Sequence, residues 1–145
     1  MHPAAAKALF DADVATLTPA LGKRRGWTFH SLEFPLVDCS YTAPARTPLR
    51  LRLTCGDWNE LPPEISLHNA DGTLLTMPLT NPSGVFNGSP HPVANRQFIC
   101  MRGSREYHTH PSHVGDPWES IRGHSSYTIG GILTQIWHAW LKGTG

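Results

Sequence analysis

Six chemistry-bearing residues, Cys100, Glu106, His108, His110, His113 and Asp116, fall within one stretch, CMRGSREYHTHPSHVGDPW, residues 100–118. A thiol, carboxylates and imidazoles at this density suit a metal site, a nucleophile with helpers, or a polar loop rich in imidazole. Arg102-Gly103-Ser104 reads as a hairpin connection between FICM and REYHTH. Pairing centred on Gly103 sets Cys100 opposite Glu106, with β-carbons ~5 Å apart. Period-two alternation then puts Glu106, His108 and His110 on one face, with Tyr107 and Thr109 on the other. Pro111 ends the strand, and His113 is placed to fold back toward the group.

A carboxylate beside a thiol disfavours the thiolate and raises the thiol above its usual ~8.5. A reactive Cys100 therefore needs a positive counterweight, from imidazolium or from a metal. Cys100, Glu106, His108 and His110 form an acceptable tetrahedral zinc set, with His113 as a substitute ligand. Without metal, Cys100 becomes the nucleophile and His108 or His110 manages its proton. Both readings use the same residues, and the sequence leaves them open. Against them stands the plain alternative: a cysteine after Phe98-Ile99 packs well as a small core residue, and surface histidines are commonly just polar.

The elements that must position these residues are legible in outline. Phe10, Val14, Leu17 and Leu21 recur at helical spacing, which predicts a helix from about residue 3 that Pro19 ends or kinks. KRRG then makes a basic exposed turn. WTFHSLEFPLVDCSYTA is rich in β-formers but broken by Pro35, giving an edge strand or two short ones. In PLRLRLTCGDW, Leu49, Leu51, Leu53 and Cys55 alternate with Arg50, Arg52 and Thr54, which predicts a strand with one buried face. Ile65 and Leu67 mark a further short strand. Residues 76–97, with four prolines and two glycines, predict a long irregular crossing. QFICM is another short buried strand. Ile129, Ile132, Leu133, Ile136, Trp140 and Leu141 define one face of a final helix ending at Gly143. The order predicts one α+β domain over residues 1–145, an antiparallel meander of about four strands with helices packed against one face.

Composition narrows the function classes. With 145 residues the chain can bury a core without staples. A formal net charge of +1 gives no electrostatic case for nucleic acid or an anionic membrane. No apolar run approaches the ~20 residues that span a bilayer. The amino-terminal MHPAAAKALFDADV lacks the hydrophobic segment of a secretion signal. Three widely spaced cysteines make no disulfide framework, and the expected compartment is the cytoplasm.

The layout resembles the ubiquitin-conjugating-enzyme fold. WNELPPEISL, from Trp58 to Leu67, is similar to that fold's third-strand region. HPVANRQFICM, from His91 to Met101, resembles its His-Pro-Asn element followed by the active cysteine, with His91 and Pro92 opening the motif and Cys100 in the cysteine position. Val93 stands where the asparagine is expected. Pro117-Trp118 resembles the later Trp-Pro element. The pattern looks like the divergent bacterial branch found with ubiquitin-like modification systems, and also resembles the predicted metal-binding CEHH proteins associated with them. The order Cys100, Glu106, His108, His110 meets that name. The resemblance implies an acyl carrier in a bacterial conjugation pathway, of the kind met in antiphage defence, with a ubiquitin-like modifier and its activating enzyme as partners. The alternative it implies is a catalytically inactive zinc-binding accessory or adaptor on the same fold. HTHP also resembles the heart of the JAB/JAMM metalloprotease motif, but that motif's later serine and aspartate would fall on Trp118 and Ile121, which ranks it last.

Overall fold

Pro19, expected to end or kink the first helix, instead begins a second one. In the computed structural model, which describes residues 1–80 and 82–143, α1 spans Pro3–Val14 and α2 spans Pro19–Arg25. Proline lacks an N–H that the first helical turn leaves unused, so it fits there as well as at a break. The Thr18 hydroxyl accepts the Leu21 N–H at 3.2 Å and caps α2. KRRG is therefore the last turn of α2 rather than a free loop, closed by Gly26 at φ 72°.

Four strands follow as a meander: β1 Trp27–Glu33, β2 Leu36–Tyr41, β3 Leu49–Thr54 and β4 Glu64–His68, each antiparallel to the next. Pro35 splits the first β-rich stretch into the two strands of a hairpin, and the Phe34–Pro35 bond is cis. Leu51 pairs with both Cys39 and Leu67, so one face of the meander presents Val37, Cys39, Tyr41, Leu49, Leu51, Leu53, Ile65 and Leu67. All eight are buried. The final helix, α4, spans Ile129–Lys142 and buries Ile129, Ile132, Leu133, Ile136 and Trp140 in the same core. The Tyr41 hydroxyl donates to the Leu133 carbonyl at 2.6 Å, fixing the helix to the sheet.

The opposite face is not simply a wet row of arginines. The Asp38 carboxylate sits between Arg50 and Arg52, taking bonds of 2.8 Å from Nε and Nη2 of Arg50 and 3.2 Å from Nε of Arg52. Burial pushes the carboxyl up, but the two guanidiniums outweigh it and hold Asp38 below the usual carboxylate range.

Among its described residues the long crossing is irregular as expected, broken by β5, Phe86–Asn87, which pairs with β6, Phe98–Ile99. The largest departure comes next. REYHTH, read as a strand, is a helix: α3 spans Arg105–Thr109, followed by a 3-10 turn over Pro111–His113. Ser104 is its N-cap; the hydroxyl accepts the Tyr107 N–H at 3.1 Å and donates to the Ile99 carbonyl at 2.7 Å. Gly103 does turn the chain, at φ 98°, where a Cβ would also meet Ile132 at 3.0 Å. The turn leads into a helix instead of back along β6.

Candidate functional site

Making residues 105–109 helical redistributes every side chain of the expected cluster. In a strand, residues two apart share a face; in a helix they lie about 200° apart. Glu106 and His108 therefore point to opposite sides of α3.

Glu106 turns inward under β4 and is 3% exposed. The Ile65 N–H donates to its Oε1 at 2.6 Å, and Arg96 Nη2 approaches the same oxygen at 3.4 Å. Burial dominates over these favourable partners and pushes the carboxyl up to about 7. Glu106 also lines a cleft of about 330 Å³ with Glu64, Val93, Arg96 and Arg105. The expected pairing of Glu106 with Cys100 across a hairpin is not formed, because there is no second strand to carry it.

His91, placed by resemblance in a His-Pro motif, is 2% exposed and wholly engaged by backbone. Its Nδ1 accepts the Val93 and Ala94 N–H groups, both at 3.1 Å, which leaves the ring proton on Nε2 to donate to the Glu106 carbonyl at 2.7 Å. His91 thus ties the turn ahead of β6 to α3. Val93 contributes its N–H to this turn, and its side chain is exposed.

His108 faces the other way. Its Nε2 accepts the Gly103 N–H at 3.0 Å, so Nδ1 carries the proton and donates to the Asp116 carbonyl at 2.9 Å. Both nitrogens are spent holding backbone on either side of the site. Burial lowers His108 below the ordinary imidazole value, in keeping with a neutral ring. His110 is the N-cap of the 3-10 turn, its Nδ1 accepting the Ser112 N–H at 3.2 Å, and it stacks on Phe98 with ring centres 5.9 Å apart.

The imidazole that does reach Cys100 is His113. Its Nε2 lies 3.8 Å from Cys100 Sγ, hydrogen-bond reach for sulfur. Cys100 is half-buried at the end of β6, whereas Cys39 and Cys55 are buried in the core. Burial raises the Cys100 thiol, so it rests neutral and needs its proton removed before it can attack. The His113 ring stacks on Tyr107, centres 3.9 Å apart and planes 16° apart. The Tyr107 hydroxyl and the Arg102 Nε both donate to Asp116 Oδ2 at 2.7 Å. These hydrogen bonds hold Asp116 below the usual carboxylate range.

Of the expected ligands Cys100, Glu106, His108, His110 and His113, the fold brings Cys100 and His113 together. It spreads the rest around α3, and among the described residues no three His, Cys, Asp or Glu side chains form a group that could hold a metal ion. Tyr107 and Arg102 are partners that sequence reasoning missed, and Asp116, counted in the cluster, was given no role there. A signal for α3 was present: a serine N-cap, an acid in the first turn, and a proline just after the end.

Fold and site together define an α+β domain in which a half-buried thiol and an imidazole, from either side of a short helix in the chain, meet. Residues 87–144 match the family described as Y4jH-like, the Y4jH family. A stretch of 44 residues is 45% identical to the uncharacterized protein y4jH of Sinorhizobium fredii (strain NBRC 101917 / NGR234), covering 30% of this chain and 22% of that protein. The chain thus matches about a fifth of that relative's length.

Proposed function

We propose that this protein is a ubiquitin-conjugating-enzyme-like acyl carrier in a bacterial, cytoplasmic ubiquitin-like conjugation pathway, with Cys100 as the acceptor thiol. The observation that carries the reading is the Cys100 Sγ to His113 Nε2 distance of 3.8 Å at the one half-buried cysteine. It is supported by the chain order of a four-strand meander, a His91-Pro92 turn, a short strand ending just before the cysteine, Trp118, and a final helix.

The chemistry is acyl transfer. His113 Nε2 takes the thiol proton as Cys100 sulfur attacks the carbonyl carbon of a modifier's activated C-terminus. The carbon–sulfur bond to the activating enzyme breaks, that enzyme's thiolate leaves and is protonated, and the modifier remains as a thioester on Cys100. An acceptor amine then attacks the same carbon, an amide forms, and the Cys100 thiolate recovers a proton. His113 takes the proton-handling role expected of His108 or His110, since His108 has both nitrogens committed to backbone.

The test is incubation of the purified chain with a ubiquitin-like modifier, its activating enzyme and ATP. The expected product is a higher-mass band on a non-reducing gel that disappears with reductant and is absent from Cys100→Ala. A chain that stays uncharged beside a charged activating enzyme is not a carrier.

One observation favours a second reading, an accessory protein on the same fold without transfer chemistry: burial raises the Cys100 thiol rather than lowering it. Pathway activity that survives Cys100→Ala selects this reading over the first.

A further inference from the structure

The His113 ring lies against a neighbour that no motif marks. His113 lies on a 3-10 turn of three residues, too short to fix a side chain by itself. His110 caps that turn at Ser112 and so sets the backbone. The ring plane is another matter, because the torsion to an sp² ring is broad and needs an external surface to select one angle.

Tyr107 supplies that surface. The two rings are stacked nearly parallel and in van der Waals contact, with centres 3.9 Å apart and planes 16° apart. Tyr107 is held at both ends. Its N–H is capped by the Ser104 hydroxyl, which is anchored on the carbonyl of Ile99, the residue before Cys100. Its hydroxyl ends on Asp116 Oδ2, which Arg102 also grips. The thiol and the ring that orients its base are therefore referred to the same end of β6.

We infer that Tyr107, pinned by Asp116, is the positioning residue of the Cys100–His113 pair, fixing the His113 plane so that Nε2 faces the sulfur. The inference rests on the proposed role of Cys100 but is tested without modifier or activating enzyme. If the imidazole turns about its bond, Nε2 leaves the sulfur and proton transfer slows, while the thiol stays equally accessible. Asp116 acts one step further out, through the tyrosine hydroxyl.

The experiment is iodoacetamide alkylation of Cys100 in the full chain, followed by mass spectrometry across a pH series. Tyr107→Leu is expected to slow alkylation at pH 7 by about tenfold, as His113→Asn does, and the double variant is expected to be no slower than either alone. Tyr107→Phe keeps the stacking ring and is expected to stay within about threefold of wild type. At a pH high enough to ionise the thiol without help, all variants converge. That convergence separates a positioning effect from a change in access, which would persist at high pH.

A wild-type rate for Tyr107→Leu at pH 7 overturns the inference, as does a double variant slowed by the product of the two single effects. If thermal melting shows Tyr107→Leu unfolded, Asp116→Asn decides: a loss of a few-fold supports the relay, and an unchanged profile removes it. The two readings fail separately. A wild-type rate for His113→Asn removes the thiol–imidazole pair on which the carrier role depends, whereas a slow His113→Asn beside a fast Tyr107→Leu removes Tyr107 alone.

Discussion

Ile65 donates its backbone N–H to Glu106 Oε1 at 2.6 Å, so a carboxyl from the histidine-rich segment serves as a bracket between β4 and α3. The bond supplies a partner for the N–H at the second residue of β4, and leaves the acid almost wholly buried.

That placement has a pH signature. The Glu106 carboxyl is pushed up to about 7 in the folded chain from an ordinary 4.5, so the native state holds a proton that the unfolded state has lost. Stability from this group is full below about pH 4.5 and is lost as pH rises toward 7. Glu106→Gln keeps an oxygen for Ile65 and removes the ionisation. It is expected to gain stability relative to wild type, by up to a few kcal/mol at pH 8 and little at pH 5, as read by urea titration at both pH values. A gap that stays constant with pH contradicts the assignment.

His108 gives the opposite limb. Its folded value is lowered from 6.5 by burial, so the unfolded state binds a proton more readily. The contribution is intact above about pH 6.5 and is lost as pH falls below it toward the folded value. Protonation would also put a proton on the Nε2 that accepts Gly103 N–H. His108→Phe is expected to cost about 1–3 kcal/mol at pH 7.5 through two unpartnered backbone groups, and to flatten the acid limb between pH 6.5 and 5. Parallel thermal melts of the two proteins check it.

Thiol chemistry should be unequal. Cys39 and Cys55 are buried, and burial raises both to about 12. A disulfide exchange reagent is expected to titrate one thiol in the native protein, lost in Cys100→Ala, and all three after denaturation. Two rapidly reacting thiols in the native state would contradict the core assignment.

Removing the Tyr41 hydroxyl isolates one link between sheet and helix. Tyr41→Phe keeps the buried ring and deletes the bond to the Leu133 carbonyl. A loss of about 0.5–1.5 kcal/mol is expected by chemical denaturation. No change in the alkylation rate of Cys100 should accompany it, since Tyr41 touches none of the thiol's partners described above.

The sequence by itself determined the sheet and the helix that covers it. Leu49, Leu51, Leu53, Ile65 and Leu67 alternate strictly, and α4 carries its apolar residues at helical spacing, so a local period decides which face is buried. It also marked the dense cluster at 100–118 and the turn at Gly103. It did not decide how the cluster folds: REYHT satisfies an alternating pattern and a helical one almost equally over five residues, too few to separate the periods. Tertiary structure resolved that choice. Ile65 N–H needed an acceptor and Glu106 supplied it, Ser104 capped the turn from Ile99, and His108 was drawn to two backbone groups. The thiol was left to His113, thirteen residues away in the chain, because long-range hydrogen-bond demand rather than local spacing chose which imidazole would face it.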